Sequence, residues 1–118
     1  MRVLVCGGRD FSDRLLVGRE LNKLAPDTVI HGGCRGADQI AGDWAEFAGA
    51  KQHVFPANWH LHGKAAGPRR NQRMLDLGKP DIVLAFPGGR GTADMVRRAT
   101  IAGVKVIEVS ASEDLGRD

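Results

Sequence analysis

The stretch FPGGRGTADM, residues 86–95, ends an apolar run on two glycines, an arginine, a third glycine and a threonine. The same chain carries VCGGRDF at residues 5–11 and IHGGCRGAD at residues 30–38, so three separate apolar runs end in Gly-Gly with an arginine close behind. A short apolar run that stops at glycine is typical of a buried strand followed by a tight turn. The three stretches therefore mark the ends of three predicted strands.

Short β-rich runs alternate with longer helical patterns along the whole chain. Strands are predicted at residues 2–6, 28–31, 52–55, 81–86 and 104–109. Apolar residues at helical spacing mark three helix faces between them, which are Val17, Leu21 and Leu24, then Ala37, Ile40, Ala41, Trp44 and Ala48, then Met95, Ala99 and Ala102. A fourth, shorter helix is predicted to open at Pro68 and to end near Gly78, since proline suits a first helical position.

This alternation predicts an α/β fold, a single-domain Rossmann-like doubly wound parallel sheet of about five strands with helices on both faces. Parallel strands need crossover connections, and those connections are right-handed. By analogy with such folds we expect the strand order 3-2-1-4-5, which places the crevice between strands 1 and 4. The domain is predicted to span residues 1–109, and residues 110–118 carry no apolar pattern and are interpreted as a polar tail.

Composition narrows the class of protein. The chain has 118 residues, enough for one domain, and its 42% hydrophobic and 26% charged residues are ordinary for a globular protein. No apolar stretch approaches the roughly 20 residues that cross a bilayer, and the start of the chain runs straight into a predicted strand, so we expect a cytoplasmic protein without membrane contact. Cys6 and Cys34 have no CxxC spacing and the four histidines form no clustered ligand set, so neither a disulfide nor a metal or other cofactor is predicted.

The glycine turns are predicted to bind phosphate. The carboxyl ends of parallel strands share one edge of the sheet, so all three turns lie there, and each turn feeds a helix whose first N–H groups have no partner. Thr92 is predicted to cap the last helix, and Asp38 and Asp94 are placed in first helical turns. The alternative is that glycines stand there because strand and helix pack closely.

The long loop after strand 3 concentrates positive charge. Five basic residues and no acidic one lie between Glu46 and Asp76, which are Lys51, Lys64, Arg69, Arg70 and Arg73. Cations in the first turn of a helix oppose its dipole, and a bound phosphate or carboxylate would reverse that penalty. Trp59, His60 and His62 could stack on a base or cover the pocket, and Trp59 could equally be an ordinary lid contact. A local excess of this kind favours a particular anion over general nucleic-acid coating.

These motifs together resemble the SLOG superfamily, the Rossmann-like fold shared by the DNA-processing protein DprA and the LONELY GUY phosphoribohydrolases, and within it the YspA-related (YpsA-like) branch. The resemblance is carried by CGGRDF (6–11), HGGCRGAD (31–38), FPANWHLHGKAAGPRRNQRM (55–74) and FPGGRGTADM (86–95). It implies a pocket for a nucleotide derivative, such as a nucleoside monophosphate, an ADP-ribose-like or NAD-derived molecule or a signalling nucleotide. It also implies a role as sensor or processor in bacterial and phage conflict systems.

The predicted ligand-binding residues combine the glycine turns with the cationic loop. They are Gly7, Gly8, Arg9, Gly32, Gly33, Arg35, Gly36, Asp38, Lys64, Arg69, Asn71, Gly88, Gly89, Arg90, Gly91 and Thr92. The LONELY GUY enzymes cleave a base from ribose 5-monophosphate with an arginine and with the glutamate of PGGxGTxxE. The resemblance places Arg70 at the arginine position, whereas Met95 stands at the glutamate position and Asp94 is one residue earlier.

Three functional hypotheses follow. The first is a module that binds, senses or sequesters a phosphorylated nucleotide derivative. The second is a small N-glycosidic hydrolase in which Arg70 and Asp94 are the candidate catalytic residues, with Asp38 as another candidate carboxylate. The third is single-stranded nucleic-acid binding as in DprA, which six aromatic residues without tyrosine support poorly. Alanine-rich helix faces also predict a homodimer or a higher homo-oligomer.

Overall fold

The computed structural model describes residues 1–110 and shows a five-stranded sheet between two layers of helices. The strands are β1 (Arg2–Cys6), β2 (Thr28–His31), β3 (Lys51–Val54), β4 (Ile82–Ala85) and β5 (Lys105–Glu108). The helices are α1 (Arg14–Leu24), α2 (Ala37–Ala48), α3 (Trp59–His62), α4 (Ala66–Gly78) and α5 (Arg90–Ile101), and a 3₁₀ turn at Gly63–Ala65 joins α3 to α4.

The strand order is β3-β2-β1-β4-β5, and every neighbouring pair is parallel. This confirms the Rossmann-like α/β fold and the order expected for it. β1 lies at the centre with β2 on one side and β4 on the other. The three strands that end in Gly-Gly are therefore adjacent, and their turns share one edge of the sheet.

The core consists of two apolar layers, one on each face of the sheet. Alternate residues of β1 divide between them, since Val3 and Val5 pack with α1 and α2 whereas Leu4 and Cys6 pack with α4 and α5. Strands covered on both faces read as continuous apolar runs, as β1, β2 and β4 do. β3 and β5 lie at the edges and are more exposed.

Several predicted boundaries differ from the structure. The three later predicted strands are displaced or shortened by about one residue, and α4 begins at Ala66, two residues before Pro68. The loop after β3 also forms α3, which the sequence pattern did not indicate because four residues are too few to show a period. Ala48 and Ala102 are exposed and do not extend the buried helix faces. Residues 111–118 of the predicted tail lie outside the described residues.

None of the helices within residues 1–110 is both long enough and apolar enough to span a membrane. No group of three or more His, Cys, Asp or Glu side chains that could hold a metal ion occurs in the same part of the chain.

Candidate functional site

The turns that follow β1 and β2 pack directly against each other. We call them the β1 turn (residues 7–13) and the β2 turn (residues 32–36). The N–H of Ala37 donates to the carbonyl oxygen of Gly8 at 3.2 Å. A Cβ on Gly36 would overlap that oxygen and lie 2.6 Å from the carbonyl oxygen of Arg9. A Cβ on Gly7 would lie 2.6 Å from Cβ of Ala37. These glycines are required by close packing of the two turns.

The turn that follows β4, which we call the β4 turn (residues 86–89), also joins this platform. The N–H of Gly8 donates to the carbonyl oxygen of Pro87 at 2.8 Å. A Cβ on Gly88 would lie 2.7 Å from the nitrogen of Gly8 and would overlap Oγ1 of Thr92. Three turns from separate parts of the chain therefore form one continuous surface of backbone.

Beyond Gly88 the β4 turn opens outward. A Cβ on Gly89 or on Gly91 would have no atom within 4 Å, and α5 starts between them at Arg90. Gly89 is the N-cap residue, and no side chain caps the helix. The first N–H groups of α5 therefore have no intrahelical partner and no side-chain cap among the described residues. By contrast, α1 is capped by Asp13, whose Oδ1 accepts from the N–H of Leu16 at 3.0 Å.

Thr92 is not the cap of α5, so that prediction was wrong. The helix begins three residues earlier than a cap at Thr92 would require, with Gly89 in the N-cap position. Thr92 is instead the third helical residue, and its hydroxyl lies over Gly88.

Asp38 lies in the first turn of α2, as predicted, and its carboxylate folds back over the β2 turn. Oδ2 accepts from the N–H of Gly32 at 3.0 Å and from the N–H of Cys34 at 3.3 Å. Burial raises the pKa of the Asp38 carboxyl, and the hydrogen bond from Cys34 and the nearby charge of Arg70 oppose that shift only in part. Burial of Cys6, together with the nearby charges of Asp38 and Glu108, raises the pKa of the Cys6 thiol to about 12.

Arg70 joins the β2 turn to the loop after β3. Its Nη1 donates to the carbonyl oxygens of Gly32 at 2.9 Å and Phe55 at 3.3 Å, and its Nε donates to Oδ1 of Asn71 at 3.1 Å. A Cβ on Gly32 would overlap the guanidinium. Nη2 has one contact among the described residues, with Sγ of Cys34 at 4.0 Å. Arg70 therefore positions the backbone and keeps one nitrogen available.

Asn71 and Asp94 brace α4 against α5. The side-chain amide of Asn71 donates to the carbonyl oxygen of Gly91 at 3.1 Å and to Oδ2 of Asp94 at 3.0 Å. Arg97 and Arg98 also donate to the Asp94 carboxylate, at 2.6 Å and 2.8 Å. Partial burial would raise the pKa of the Asp94 carboxyl, but the hydrogen bonds from Asn71 and Arg98 and the charge of Arg98 outweigh it, so the pKa is lowered.

The prediction that Asp94 lies in the first turn of α5 was wrong, because α5 begins at Arg90 and Asp94 is its fifth residue. The carboxylate therefore faces α4 and its own helix, where three side chains already donate to it. Asn71, predicted to contact ligand, uses its polar atoms in the same brace.

The predicted cations divide into engaged and unengaged ones. Arg35 forms an ion pair with Asp10 at 3.1 Å, and the Arg9 guanidinium lies 5.7 Å from the centre of the Trp59 ring. Among the predicted ligand-binding cations, Lys64, Arg69 and Arg90 are exposed and make neither an ion pair nor a ring contact within residues 1–110.

The cations after β3 are more spread out than predicted. Lys64 precedes α4 in the 3₁₀ turn, and Arg69 is the fourth residue of α4. Arg70 and Arg73 lie beyond the first turn, because α4 starts at Ala66, and Arg73 stacks over Phe55 at 5.9 Å.

One buried residue of this edge escaped the sequence analysis. His31 closes β2, and its Nδ1 accepts from the N–H of Gly33 at 3.0 Å. Its Nε2 therefore carries the proton and donates to Oε1 of Gln52 at 2.8 Å. The position of His31 at the end of an apolar run was the available signal, since a polar residue inside such a run needs partners.

A cleft of about 400 Å³ lies on the β5 side of the β4 turn. Its lining consists of residues 85–89 at the end of β4 and in the β4 turn, of Thr92, Ala93, Val96 and Arg97 in α5, and of Glu108 and Val109 at the end of β5. The sheet topology predicted the opening between β1 and β4, where the hydrogen bond from Gly8 to Pro87 instead joins the two turns. The open N-terminus of α5 and an adjacent cleft thus belong to the same corner of the molecule.

The fold and this edge define a Rossmann-like α/β domain whose central strands end in glycine turns. Comparison with known proteins gives the family. The model of the YspA, cpYpsA-related SLOG family (YAcAr) matches residues 1–62, just over half of the chain. The Gene 61 protein of Mycobacterium phage D29 is 42% identical over 118 aligned residues, which cover 90% of this chain and 94% of that protein. The chain therefore belongs to the YspA, cpYpsA-related SLOG family, as its glycine motifs indicated.

Proposed function

We propose that this domain binds a phosphorylated nucleotide derivative at the carboxyl edge of its sheet, as a sensing or sequestering module. The observation that carries the proposal is the start of α5, where Gly89 and Gly91 face open space and no side chain caps the helix. Backbone N–H groups at an uncapped helix N-terminus attract a phosphate through hydrogen bonds and through the helix dipole.

Unpaired cations support an anionic ligand. Arg90 is the first residue of α5, and Arg69 and Lys64 lie at and before the start of α4. These three side chains are exposed and have no acidic partner within residues 1–110, so a phosphate would not compete with an existing ion pair. Arg and Lys are the side chains that bind phosphate most strongly.

An aromatic surface lies beside the same turns. The Trp59 side chain is 49% exposed, and the Arg9 guanidinium lies over its ring. A nucleobase can stack on such an indole or on a guanidinium plane. We propose that the phosphate binds at α5 and that the base is held near α3.

Binding is favoured over N-glycosidic hydrolysis by the residues around Asp94. Met95, which stands at the glutamate position of the LONELY GUY motif, is 1% exposed and packs in the core. The Asp94 carboxylate is engaged by Asn71, Arg97 and Arg98. Neither side chain is arranged to stabilise positive charge on a sugar, which cleavage of an N-glycosidic bond requires. Hydrolysis remains the second hypothesis because family membership is consistent with both.

The first test is native mass spectrometry of the protein as purified from cells. A co-purifying nucleotide derivative supports the proposal and identifies the ligand, and the same spectrum counts the copies in the predicted homo-oligomer. Isothermal titration with AMP, ADP-ribose and inorganic phosphate then measures affinity directly. Absence of binding to all three at millimolar concentration, with no co-purifying molecule, would overturn the proposal.

Gly89→Val tests the location of the site. A Cβ on Gly89 would meet no other atom, although the backbone has φ −103° and ψ −140°, which valine adopts only with strain. We therefore expect a modestly lower unfolding midpoint, with the protein still folded, together with at least tenfold weaker binding of AMP. Unchanged affinity in a folded Gly89→Val protein would place the phosphate elsewhere. Release of free base from AMP or ADP-ribose by the wild-type protein, abolished by Asp94→Asn, would replace binding by hydrolysis.

A further inference from the structure

Asp38 has a buried carboxylate, and one of its two oxygens makes no hydrogen bond within residues 1–110. Its side chain belongs to a residue that is 7% exposed, and Oδ2 accepts both hydrogen bonds that the β2 turn provides. Oδ1 has no hydrogen-bond partner within residues 1–110. Every fully buried side-chain oxygen and nitrogen in that part of the chain is paired, so Oδ1 must reach the surface through the small exposed fraction of the residue.

The fold does not require the charge of this side chain. An asparagine or a serine at position 38 could accept the N–H groups of Gly32 and Cys34 with one neutral oxygen. Instead the chain places a carboxylate there, with Arg70 as a nearby charge but without an ion pair in contact with any cation in the described residues. A buried and unpaired carboxylate costs stability, so a charge retained in such a position points to a ligand.

The groups around Asp38 limit what that ligand can offer. Arg70 lies on the side of Gly32 where a Cβ would stand, and Oδ2 of Asp38 lies 3.0 Å from the same point. His31 is bound to Gly33 and Gln52, and the thiol of Cys6 is buried. Oδ2 of Asp38 and Nη1 of Arg70, the atoms near that point, are both engaged by backbone groups, so the acceptor left for a ligand is Oδ1, which suits a hydroxyl group that donates to it. A phosphate oxygen in contact with Oδ1 would be repelled.

We infer that Oδ1 of Asp38 accepts a hydrogen bond from a ribose hydroxyl of the ligand, so that the site selects ribose-containing nucleotides over their deoxy counterparts. The inference rests on the proposed function, since it places the sugar of the same ligand whose phosphate lies at α5. Nη2 of Arg70, whose one described contact is the 4.0 Å approach to Cys34, is a second polar group of this turn that the backbone does not engage. Sugar recognition is thereby assigned to the β2 turn and phosphate recognition to the β4 turn.

The experiment compares three ligands and three proteins by isothermal titration. The ligands are AMP, 2′-deoxy-AMP and 3′-deoxy-AMP, and the proteins are wild type, Asp38→Asn and Asp38→Ser. We expect wild type to bind AMP at least tenfold more tightly than one of the two deoxy analogues, because a hydrogen bond to a charged acceptor contributes about that factor. In Asp38→Ser that preference should disappear, with affinity for the discriminated analogue unchanged, and in Asp38→Asn it should become smaller, because the amide that replaces Oδ1 can donate to the hydroxyl only as a neutral group.

Three outcomes separate the inference from the proposed function. Wild-type protein that binds AMP and both deoxy analogues equally overturns the inference and leaves nucleotide binding standing. Wild-type protein that binds none of the three ligands overturns both. A preference for AMP that persists in both folded variants also overturns the inference, because the hydroxyl would then be held by another group. The discrimination by wild type needs no variant, so the test holds even if one substitution prevents folding.

Discussion

The β2 turn and the β4 turn have nearly the same sequence, with Gly-Gly and an arginine shortly after, but the structure uses their glycines differently. At the β2 turn, Gly32 and Gly36 are pressed against Arg70 and against the carbonyls of the β1 turn. At the β4 turn Gly88 is packed against Gly8 and Thr92, but Gly89, and Gly91 in the first turn of α5, have nothing within 4 Å of a Cβ. A glycine doublet can therefore serve close packing or leave room for a ligand, and one edge of this sheet does both.

The carboxylates behind the two turns differ in the same way. Asp38 at the β2 turn is buried without a cation in contact, and burial raises its pKa. Asp94 behind the β4 turn is bound by Arg97 and Arg98, and its pKa is lowered despite partial burial. Asp94 therefore stabilises the fold, whereas the ionised form of Asp38 works against it. The contrast separates a structural carboxylate from one available to a ligand.

The largest expected effect is at the packed turn. Gly36 has φ +83°, and its Cβ would overlap the carbonyl of Gly8, so we expect Gly36→Ala to lower the free energy of unfolding by about 3 kcal/mol or more. Gly49→Ala is the matched control, since Gly49 has φ +76° with no atom within 4 Å of a Cβ. It should cost about 1 kcal/mol, the backbone term alone. Urea denaturation measures both free energies of unfolding. Equal losses in Gly36→Ala and Gly49→Ala would mean that the β1 and β2 turns can move apart without a cost in stability.

The next effect is at Asp94. Asp94→Asn removes two charged hydrogen bonds around a side chain that is 13% exposed, so we expect a loss of about 1 to 2 kcal/mol at pH 7. Because the pKa is lower in the folded protein, this contribution is present above the unfolded value of about 3.9 and is lost as pH falls through the folded pKa.

Urea denaturation at pH 7 and at pH values below 4 measures the difference between wild type and Asp94→Asn. Asp43→Asn is the control, since the ion pair of Asp43 with Arg14 is exposed on both sides and should contribute close to nothing. A loss that does not shrink at low pH would show that Asp94 acts through packing and not through its charge.

Much of this arrangement could be predicted from the residues alone. The alternation of β-rich runs with helical spacing predicted the parallel sheet, because each apolar run is too short to be anything but a buried strand. The strand order followed from analogy with doubly wound folds. The shared edge of the three turns then followed without any knowledge of side chains, since parallel strands end on the same side.

Side-chain roles were harder to predict. Thr92 was expected to cap α5, but the N-cap is Gly89. In the sequence Gly89 cannot be told apart from the loop residue Gly88, because neither has a side chain that could cap a helix. Asn71 lies in the cationic segment and was predicted to bind ligand, whereas its amide joins α4 to Gly91 and Asp94. Such contacts depend on how two helices that are distant in sequence pack together, which spacing within one helix does not encode.

A smaller effect is expected at Gly91, where a substitution should raise stability but weaken ligand binding. Gly91 lies in the first turn of α5 with free space around it, so Gly91→Ala should raise the free energy of unfolding by about 0.5 kcal/mol. The same methyl group would occupy space next to the proposed phosphate, so AMP affinity should fall several-fold. Gly18→Ala is the control. Gly18 lies in α1, remote from α5, and its Cβ would stand 4.0 Å from the Trp44 side chain of α2. It should stabilise the protein and leave AMP affinity unchanged.

The smallest effect is at Asp38, and its dependence on pH has the opposite sign to that of Asp94. A raised pKa means that the folded protein holds this proton more tightly than the unfolded chain, so the contribution is full below about pH 3.9 and is lost as pH rises through the folded pKa. Asp38→Asn keeps an oxygen for Gly32 and Cys34 and cannot ionise. It should therefore match wild type at low pH and be equally or slightly more stable at pH 7.

The measurement is the difference in urea midpoint between wild type and Asp38→Asn as a function of pH. Arg70, His31 and Cys6 surround position 38 in both proteins, so this difference isolates the carboxylate. A variant that becomes less stable than wild type as pH rises would mean that the Asp38 charge is paired in the folded protein, and the oxygen assigned to ribose would then be occupied.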